Sequence, residues 1–252
     1  MKKLFALTAL ASAVAAPVMA DEFGENVQLT EKSTAKNTYV TGNVQFHDDG
    51  RFHGTDVSST LEVGHTFANG LGGATIYAEI DGIQMGNIVN KPGSAGQFSP
   101  FITIGGEQRF TITDSFWVGV GYQHLLQNGD TVQFRPLMKI GYDMDNGFSW
   151  ANRLRAHLPE DSEQDNDYRV DTTFAYQVQD APLRVSYNNV YMTESDVMDH
   201  ELRLTWTRQG DFQPYIEYRS QANGLDLTDD AYPGQKFDGQ NNAMVIGGTF
   251  AF

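Results

Sequence analysis

Apolar and polar side chains alternate with a period of two residues along almost the whole chain after residue 36. Turn residues such as Ala68-Asn69-Gly70 and Asp145-Asn146-Gly147 interrupt the alternation at regular intervals. A period of two predicts β-strands whose two faces differ in chemistry, and no helical segment lies between them. The pattern predicts twelve strands, near residues 37–46, 55–67, 73–84, 99–111, 116–125, 132–143, 148–158, 168–178, 183–192, 200–208, 212–220 and 243–252.

The connections between these strands alternate in length. Every second gap is tight, at 68–70, 113–114, 145–147, 180–181 and 209–211. The intervening gaps are mostly longer, at 86–98, 126–131, 159–167, 193–199 and 221–242. Short turns on one side and long loops on the other are typical of bacterial outer-membrane proteins, with the turns in the periplasm. The sequence therefore predicts an all-β fold over residues 37–252, a twelve-stranded antiparallel transmembrane β-barrel of the outer-membrane porin type.

The first 36 residues do not share the strand pattern. Met1-Lys2-Lys3 is basic, residues 4–16 are apolar, and Val18-Met19-Ala20 has the small residues of a cleavage site. We expect residues 1–20 to be a signal peptide that is removed, because the apolar run is too short for a membrane anchor, the alternative. The polar residues 21–36 are predicted to be a flexible lead-in, with a lumen-plugging segment as the alternative. Export places the protein in the outer membrane of a Gram-negative bacterium.

Composition narrows the choice of partners. The 252 residues carry a formal net charge of −15 and no cysteine. Such an acidic chain is not expected to bind nucleic acid, and its stability must come from the strand ladder and not from disulfides. Much of the acidity lies in presumed loops such as 160–167, which predicts a solvated surface loop, with calcium bridging as the alternative. We identify no cofactor motif and no metal-ligand cluster.

The alternation assigns a face to every charged residue in a strand. In the seventh strand Leu154 belongs to the apolar set, whereas Arg153 and Arg155 belong to the polar set. The apolar set must face lipid, so the polar set lines the interior. The residues predicted to line the pore and bind anions are Arg109, Arg135, Lys139, Arg153, Arg155, Arg169, Arg184, Arg203 and Arg219.

Two interpretations of this basic lining remain open. Guanidinium groups match carboxylates and phosphates, which favours an anion-selective pore. A charge facing lipid at the midplane costs about 2–4 kcal/mol, however, so arginine in such a strand faces inward whatever the function. A balanced, weakly selective pore is the alternative, because inward carboxylates are predicted at Glu62, Glu79, Asp81, Glu107, Asp171, Glu201 and Glu217.

Aromatic residues cluster at the strand ends next to the tight gaps. An aromatic girdle at the membrane interface is typical of outer-membrane barrels. The predicted periplasmic girdle comprises Phe116, Trp117, Tyr142, Phe148, Trp150, Trp206, Phe212, Phe250 and Phe252.

Three segments carry a resemblance to a known family. Residues 65–72 (HTFANGLG), 212–218 (FQPYIEY) and 246–252 (IGGTFAF) resemble strand and turn signatures of the oligogalacturonate-specific porin (KdgM) family, which includes a sialic-acid channel. The resemblance implies a monomeric twelve-stranded channel for acidic oligosaccharides with basic tracks inside. The first three strands depart from it, because they offer no inward arginine and carry Glu62, Glu79 and Asp81 instead.

We therefore expect an outer-membrane porin for passive diffusion of anionic oligosaccharides of the uronate type into the periplasm, and not an enzyme. A general or nucleoside-type channel is the first alternative. A surface hydrolase is the second, for which His47-Asp48-Asp49 and Asp199-His200 would supply the candidate groups. The expected partners are the solute, outer-membrane lipid and lipopolysaccharide, and the barrel-insertion machinery, which would recognise Phe252.

Overall fold

The computed structural model describes residues 37–50, 53–90, 94–194, 196–207, 210–222 and 240–252. The predicted signal peptide and lead-in, and most of the connection 221–242, lie outside the described residues. The twelve predicted strands are confirmed, and no strand end differs from its predicted position by more than three residues. They are β1 (Thr38–His47), β2 (Val57–Asn69), β3 (Gly72–Gln84), β4 (Phe101–Thr111), β5 (Phe116–Gln127), β6 (Asp130–Asp143), β7 (Phe148–Pro159), β8 (Asp167–Gln177), β9 (Leu183–Met192), β10 (Val197–Trp206), β11 (Phe212–Ala222) and β12 (Gln240–Ala251).

The twelve strands form a closed barrel. Each strand pairs with its neighbours in the sequence, and β1 pairs antiparallel with β12, with Thr41 opposite Thr249. Closure leaves no unpaired sheet edge, which is what allows strands to cross a hydrocarbon layer. In the described residues, no helix has both the length and the apolar character needed to span a membrane.

The barrel wall has an apolar outer face and a polar inner face. On β10, Leu202 is 53% exposed, whereas its neighbours Glu201 and Arg203 are 3% and 4% exposed. The same alternation holds on the other strands, because successive side chains in a strand point to opposite sides of the sheet. Large apolar side chains thus cover the surface that contacts lipid, and charged side chains fill the interior.

The connections lie at two rims, which we name by their lengths. The described connections at the short-turn rim are residues 70–71, 112–115, 144–147, 178–182, 207 and 210–211. Those at the long-loop rim are residues 48–50, 53–56, 85–90, 94–100, 128–129, 160–166, 193–194 and 196.

One prediction about the long-loop rim is wrong. The gap predicted at 126–131 is only the two residues Asn128 and Gly129, because β5 and β6 extend further than the alternation indicates. Both residues have positive φ, 56° and 91°, as a type I′ hairpin turn requires. An Asn-Gly pair reaches this conformation at low cost, so the strands continue to the turn.

Four inward aromatic side chains pack on inward glycines of the next strand. Tyr39 lies on Gly64, Tyr77 on Gly105, Trp117 on Gly141 and Tyr215 on Gly247, and each pair is directly opposite in the register. None of these glycines has room for a Cβ atom. The rings cover the backbone where no side chain fills the interior, as in aromatic rescue of glycine.

The structure corrects the predicted girdle at Trp117. This residue is 3% exposed and belongs to the inner face, because the alternation of β5 points it inward onto Gly141. The other predicted girdle residues are on the outer face or at its edge, and Trp206 and Phe148 are about half exposed, at 49% and 50%.

The first two connections of the long-loop rim are joined to each other. Val89 N donates to the Gly54 carbonyl over 2.9 Å, and Gln84 Nε2 donates to the His53 carbonyl over 2.7 Å. The carboxylate of Asp56 accepts from the backbone and side-chain nitrogens of Asn87, and these bonds hold its pKa below the usual range. His53 is buried at this rim, with its ring 5.1 Å from that of His47 on β1.

Candidate channel lumen

The structure places all nine predicted basic residues on the inward rows of their strands. Arg109 and Arg184 lie near the short-turn rim and are partly exposed. The other seven are buried in the interior: Arg135, Lys139, Arg153, Arg155, Arg169, Arg203 and Arg219. Their orientation follows the prediction, whereas their part in conduction stays a prediction.

Two carboxylates each hold two guanidinium groups. Asp171 on β8 accepts from Arg153 Nε over 2.8 Å and lies 2.6 Å from Arg169 Nη2. Glu217 on β11 accepts from Arg203 Nε over 2.6 Å and forms a second, very short pair with Arg219. These two clusters neutralise part of the basic lining by ion pairs that are fully inside the barrel.

The basic residues nearer the short-turn rim are also paired. Lys139 Nζ lies 2.7 Å from Glu107 Oε2, and Arg109 Nη2 lies 3.2 Å from Asp143 Oδ2. The Arg109 guanidinium also stacks on the Trp117 ring at 4.3 Å, a geometry that favours a cation. These contacts fix the two side chains along the wall.

Arg135 and Arg155 differ from the rest. Arg155 donates from Nε to His157 Nε2 over 2.9 Å and from Nη1 to Gln123 Oε1 over 2.6 Å. Arg135 Nε donates to Gln133 Oε1 over 2.8 Å. Within the part of the chain that the structure describes, neither forms an ion pair, and Nη2 of each has no hydrogen-bond partner. The two are therefore charged donors that remain available to an anion.

The wall formed by β2 and β3 is acidic, as predicted. Glu62, Glu79 and Asp81 are all inward, with exposures of 1%, 4% and 2%. β1 contributes only neutral or histidine side chains to the interior, among them Asn43, Gln45 and His47. The lumen thus has a basic side, formed by β6 to β8 and β10 to β11, and an acidic side.

Several apolar residues lie inside, on the inward rows of their strands. Val190 and Met192 on β9 are both 2% exposed, and Leu125 on β5 packs against Phe101 on β4. All four lie close to the long-loop rim.

The inner side chains pack tightly on one another. Arg155 is 1% exposed and Arg169 and Arg219 are 0% exposed. A wide water-filled channel would leave such groups accessible. In this conformation the described part of the lumen is narrow, and a solute must displace flexible side chains to pass.

The structure separates the residues considered for a hydrolase. His47 points into the lumen from β1, whereas His200 is on the outer face of β10, so they do not share a site. The register places Ser220 directly opposite His200, a pairing that sequence spacing missed. Nδ1 of His200 instead lies 2.7 Å from the Tyr187 hydroxyl, and His200 has no hydrogen bond to Ser220. A serine activated by histidine requires such a bond.

The fold is similar to several solved outer-membrane proteins. A KdgM porin is 13% identical, with 85% of this chain and 99% of that chain covered and a TM-score of 0.59. A NanC porin is 14% identical, with 84% and 100% covered and a TM-score of 0.60. Outer membrane phospholipase A from Escherichia coli is 11% identical, with 85% and 92% covered and a TM-score of 0.51. At these identities the likeness shows the fold alone.

The family comparison goes further than the structural likeness. A search of curated proteins found no match. The family model described as oligogalacturonate-specific porin protein (KdgM) matches residues 33–230, most of the barrel. The family points to a channel in the outer membrane of a Gram-negative bacterium. The chain belongs to the oligogalacturonate-specific porin (KdgM) family.

Proposed function

We propose that this porin lets anionic oligosaccharides, in particular uronic-acid oligomers, diffuse passively into the periplasm. The observation that carries the proposal is the pair Arg135 and Arg155, two buried lumenal guanidiniums without a carboxylate partner in the described structure. A similar solved structure is that of a KdgM porin in complex with disordered oligogalacturonate, which supports the choice of solute. Guanidinium forks bind carboxylates through two parallel hydrogen bonds.

Basic residues on adjacent strands lie directly opposite one another, at successive levels along the lumen. Lys139 is directly opposite Arg153 on the next strand, and Arg155 is directly opposite Arg169. A uronate that enters from the long-loop rim would first meet Arg135 and Arg155. It would then exchange with Asp171 as the partner of Arg153 and Arg169. Each exchange replaces one carboxylate by another, so no step binds tightly enough to trap the solute.

The remaining expectations extend this proposal. The long-loop rim faces the outside, the leader is cleaved after Ala20, and the barrel works as a monomer. It contacts lipid and lipopolysaccharide, and the insertion machinery recognises Phe252.

Planar-bilayer recordings test the proposal. Replacement of Arg153 and Arg155 by Ser should move the reversal potential in a salt gradient towards the cation value. It should also raise the trigalacturonate concentration that blocks the current by about tenfold, the effect of one lost charged hydrogen bond. Asp114→Asn, which removes a charge in an exposed turn, is the control and should change neither quantity. An unchanged anion preference in the double variant, or no block of the wild type, would reject the proposal.

A general channel is the second candidate, and a specific observation favours it. Six of the nine basic residues already have carboxylate partners: Arg109, Lys139, Arg153, Arg169, Arg203 and Arg219. A lumen neutralised in this way would select weakly. Equal block by trigalacturonate and by a neutral oligosaccharide of the same size would favour this candidate.

A further inference from the structure

Two glutamates on the acidic side of the lumen are directly opposite each other. Glu62 on β2 and Glu79 on β3 are paired positions in the register, and both point inward. They are 1% and 4% exposed. Directly paired residues on one face have Cβ atoms about 4.5–5.5 Å apart, so the two carboxylates are neighbours.

This arrangement is unfavourable while both carboxylates are ionised and no positive group lies beside them. Like charges directly opposite in a sheet destabilise it, and burial increases the cost. Neither Glu62 nor Glu79 forms an ion pair within the described ranges, and the side chain beside the Glu62 carboxylate is the neutral hydroxyl of Tyr39, which brings no positive charge. Asp81, two residues along the same face, adds a third carboxylate, of which Oδ1 accepts from Thr60 over 2.6 Å and Oδ2 has no partner.

The basic side contacts this cluster only through neutral side chains. Arg219 donates to Gln45, Gln45 donates to Thr60 over 2.9 Å, and Thr60 donates to Asp81. A second relay runs from Arg155 through Gln123 to the Tyr77 hydroxyl on β3, with the last bond at 2.7 Å, but Tyr77 donates to Glu107 over 3.3 Å and this relay does not reach the cluster. The relays connect the two sides of the lumen but leave the carboxylates of Glu62 and Glu79 without a cation, while Nη2 of Arg135 and Arg155 lacks a partner on the basic side.

We propose that Glu62 and Glu79, with Asp81 beside them, form a subsite for a cationic group in the lumen. The ligand is the ammonium group of an aminated acidic sugar whose carboxylate binds the basic side at the same time. This inference rests on the proposed function and names a solute class within it. A bare metal ion is also positive, but no group of three or more His, Cys, Asp or Glu in the described structure is arranged to hold one. An ammonium group carries three hydrogen-bond donors and no acceptor, so the neighbouring carboxylates of Glu62 and Glu79 offer it acceptors as well as opposite charge.

Block of the channel current by two monomeric sugars tests the subsite. The probes are glucosaminuronate, which carries an ammonium and a carboxylate, and glucuronate, which carries only the carboxylate. In the wild type, glucosaminuronate should block at about a tenfold lower concentration, as expected for one added charged hydrogen-bonded contact. In Glu62→Gln and in Glu79→Gln that advantage should disappear, whereas Asp114→Asn should keep it. Each variant removes one of two like charges, so the barrel should still fold, as heat-modifiable migration in gels reports.

The outcomes distinguish an ammonium group from an inorganic cation as the ligand. They also distinguish failure of the subsite from failure of the proposed function. Equal block by the two sugars in the wild type, or an advantage that survives in both glutamine variants, overturns the subsite. Block by calcium chloride alone at micromolar concentration, without preference for the aminated sugar, makes the pair an inorganic cation site and overturns the ammonium assignment. Failure of trigalacturonate to block the wild type overturns the proposed function, whereas equal block by the two monomers overturns only this inference.

Discussion

The Arg153 Nε atom donates a hydrogen bond to Asp171 Oδ2 over 2.8 Å, between directly paired positions of β7 and β8. Asp171 also binds Arg169, so one carboxylate balances two buried guanidiniums. Asp171→Asn should lower the free energy of unfolding by about 3 kcal/mol, because two buried charges lose their partner. The midpoint of urea unfolding in detergent micelles measures this.

The same variant should increase anion selectivity, because it frees Arg153 and Arg169 for solute. The reversal potential should move towards the anion value, opposite to the shift in the variant with Arg153 and Arg155 replaced. Asp161→Asn in the exposed connection 160–166 is the matched control. A shift of Asp171→Asn towards cations would contradict the assignment of these arginines to the solute path.

Trp117 packs on Gly141, and this contact predicts how a methyl group added at position 141 changes the stability of the barrel. Gly141→Ala should destabilise the barrel by about 1–3 kcal/mol, because a Cβ atom would overlap the indole ring. Gly119→Ala is the control on the same inner face, where the nearest atom to a new Cβ is Lys139 Cβ at an ordinary 3.5 Å. Equal urea midpoints for the two variants would show that the indole does not lie on the glycine.

The fluorescence of Trp206 and of Trp117 can show which face of the barrel each residue occupies. Trp206 is 49% exposed on the outer face, whereas Trp117 is 3% exposed inside the barrel. In single-tryptophan variants reconstituted in bilayers, brominated lipid should quench Trp206 strongly and Trp117 weakly, since quenching requires contact with the acyl chains. Strong quenching of Trp117 would place it in the girdle that the sequence predicted.

His53 at the long-loop rim predicts a dependence of stability on pH. Burial lowers the pKa of His53 to about 4, and the charge of Arg219 shifts it in the same direction. A histidine whose pKa falls on folding contributes fully to the stability of the folded state when the pH is above its ordinary pKa of 6.5. This contribution declines as the pH drops from 6.5 to about 4.

Comparison of the wild type with His53→Gln separates the contribution of His53 to stability from that of neighbouring titratable groups such as His47. The urea midpoint of the wild type should fall between pH 7.5 and pH 4.5, and that of His53→Gln should fall less over the same interval. Asp56 is unchanged in both proteins, and the hydrogen bonds from Asn87 lower the pKa of its carboxyl, so its contribution cancels in the comparison. Parallel pH profiles for the two proteins would show that His53 does not titrate in this window.

The period-two pattern predicted the architecture because it has a single physical cause. A strand in a barrel wall meets hydrocarbon on one side and water or polar groups on the other, so the faces of Glu201, Leu202 and Arg203 follow from their order alone. The same argument placed every basic residue of the lumen on the correct face. Strand ends were predicted less closely where turn chemistry decides them, as at Asn128-Gly129.

The partners inside the barrel could not be predicted in this way. Whether Asp171 pairs with Arg153 or Arg169, and whether Glu62 is opposite Glu79, depends on the register between strands, which the sequence pattern does not contain. Trp117 was misplaced because the girdle was assigned from aromatic clustering, although the adjacent Phe116 and Trp117 must point to opposite faces of β5. The contact of its ring with Gly141 appears only once β5 and β6 are paired.

The seam between β1 and β12 determines how the chain must fold. The hydroxyls of Thr41 and Thr249 meet there over 2.7 Å although 208 positions separate them in the sequence. All other ladders join consecutive strands, so they can form as local hairpins, whereas this one requires the whole cylinder to be assembled first. Because of the entropy cost of loop closure, pairing of β1 with β12 is therefore expected to be the late and slow step of folding. Until that step, the edges of β1 and β12 remain unpaired.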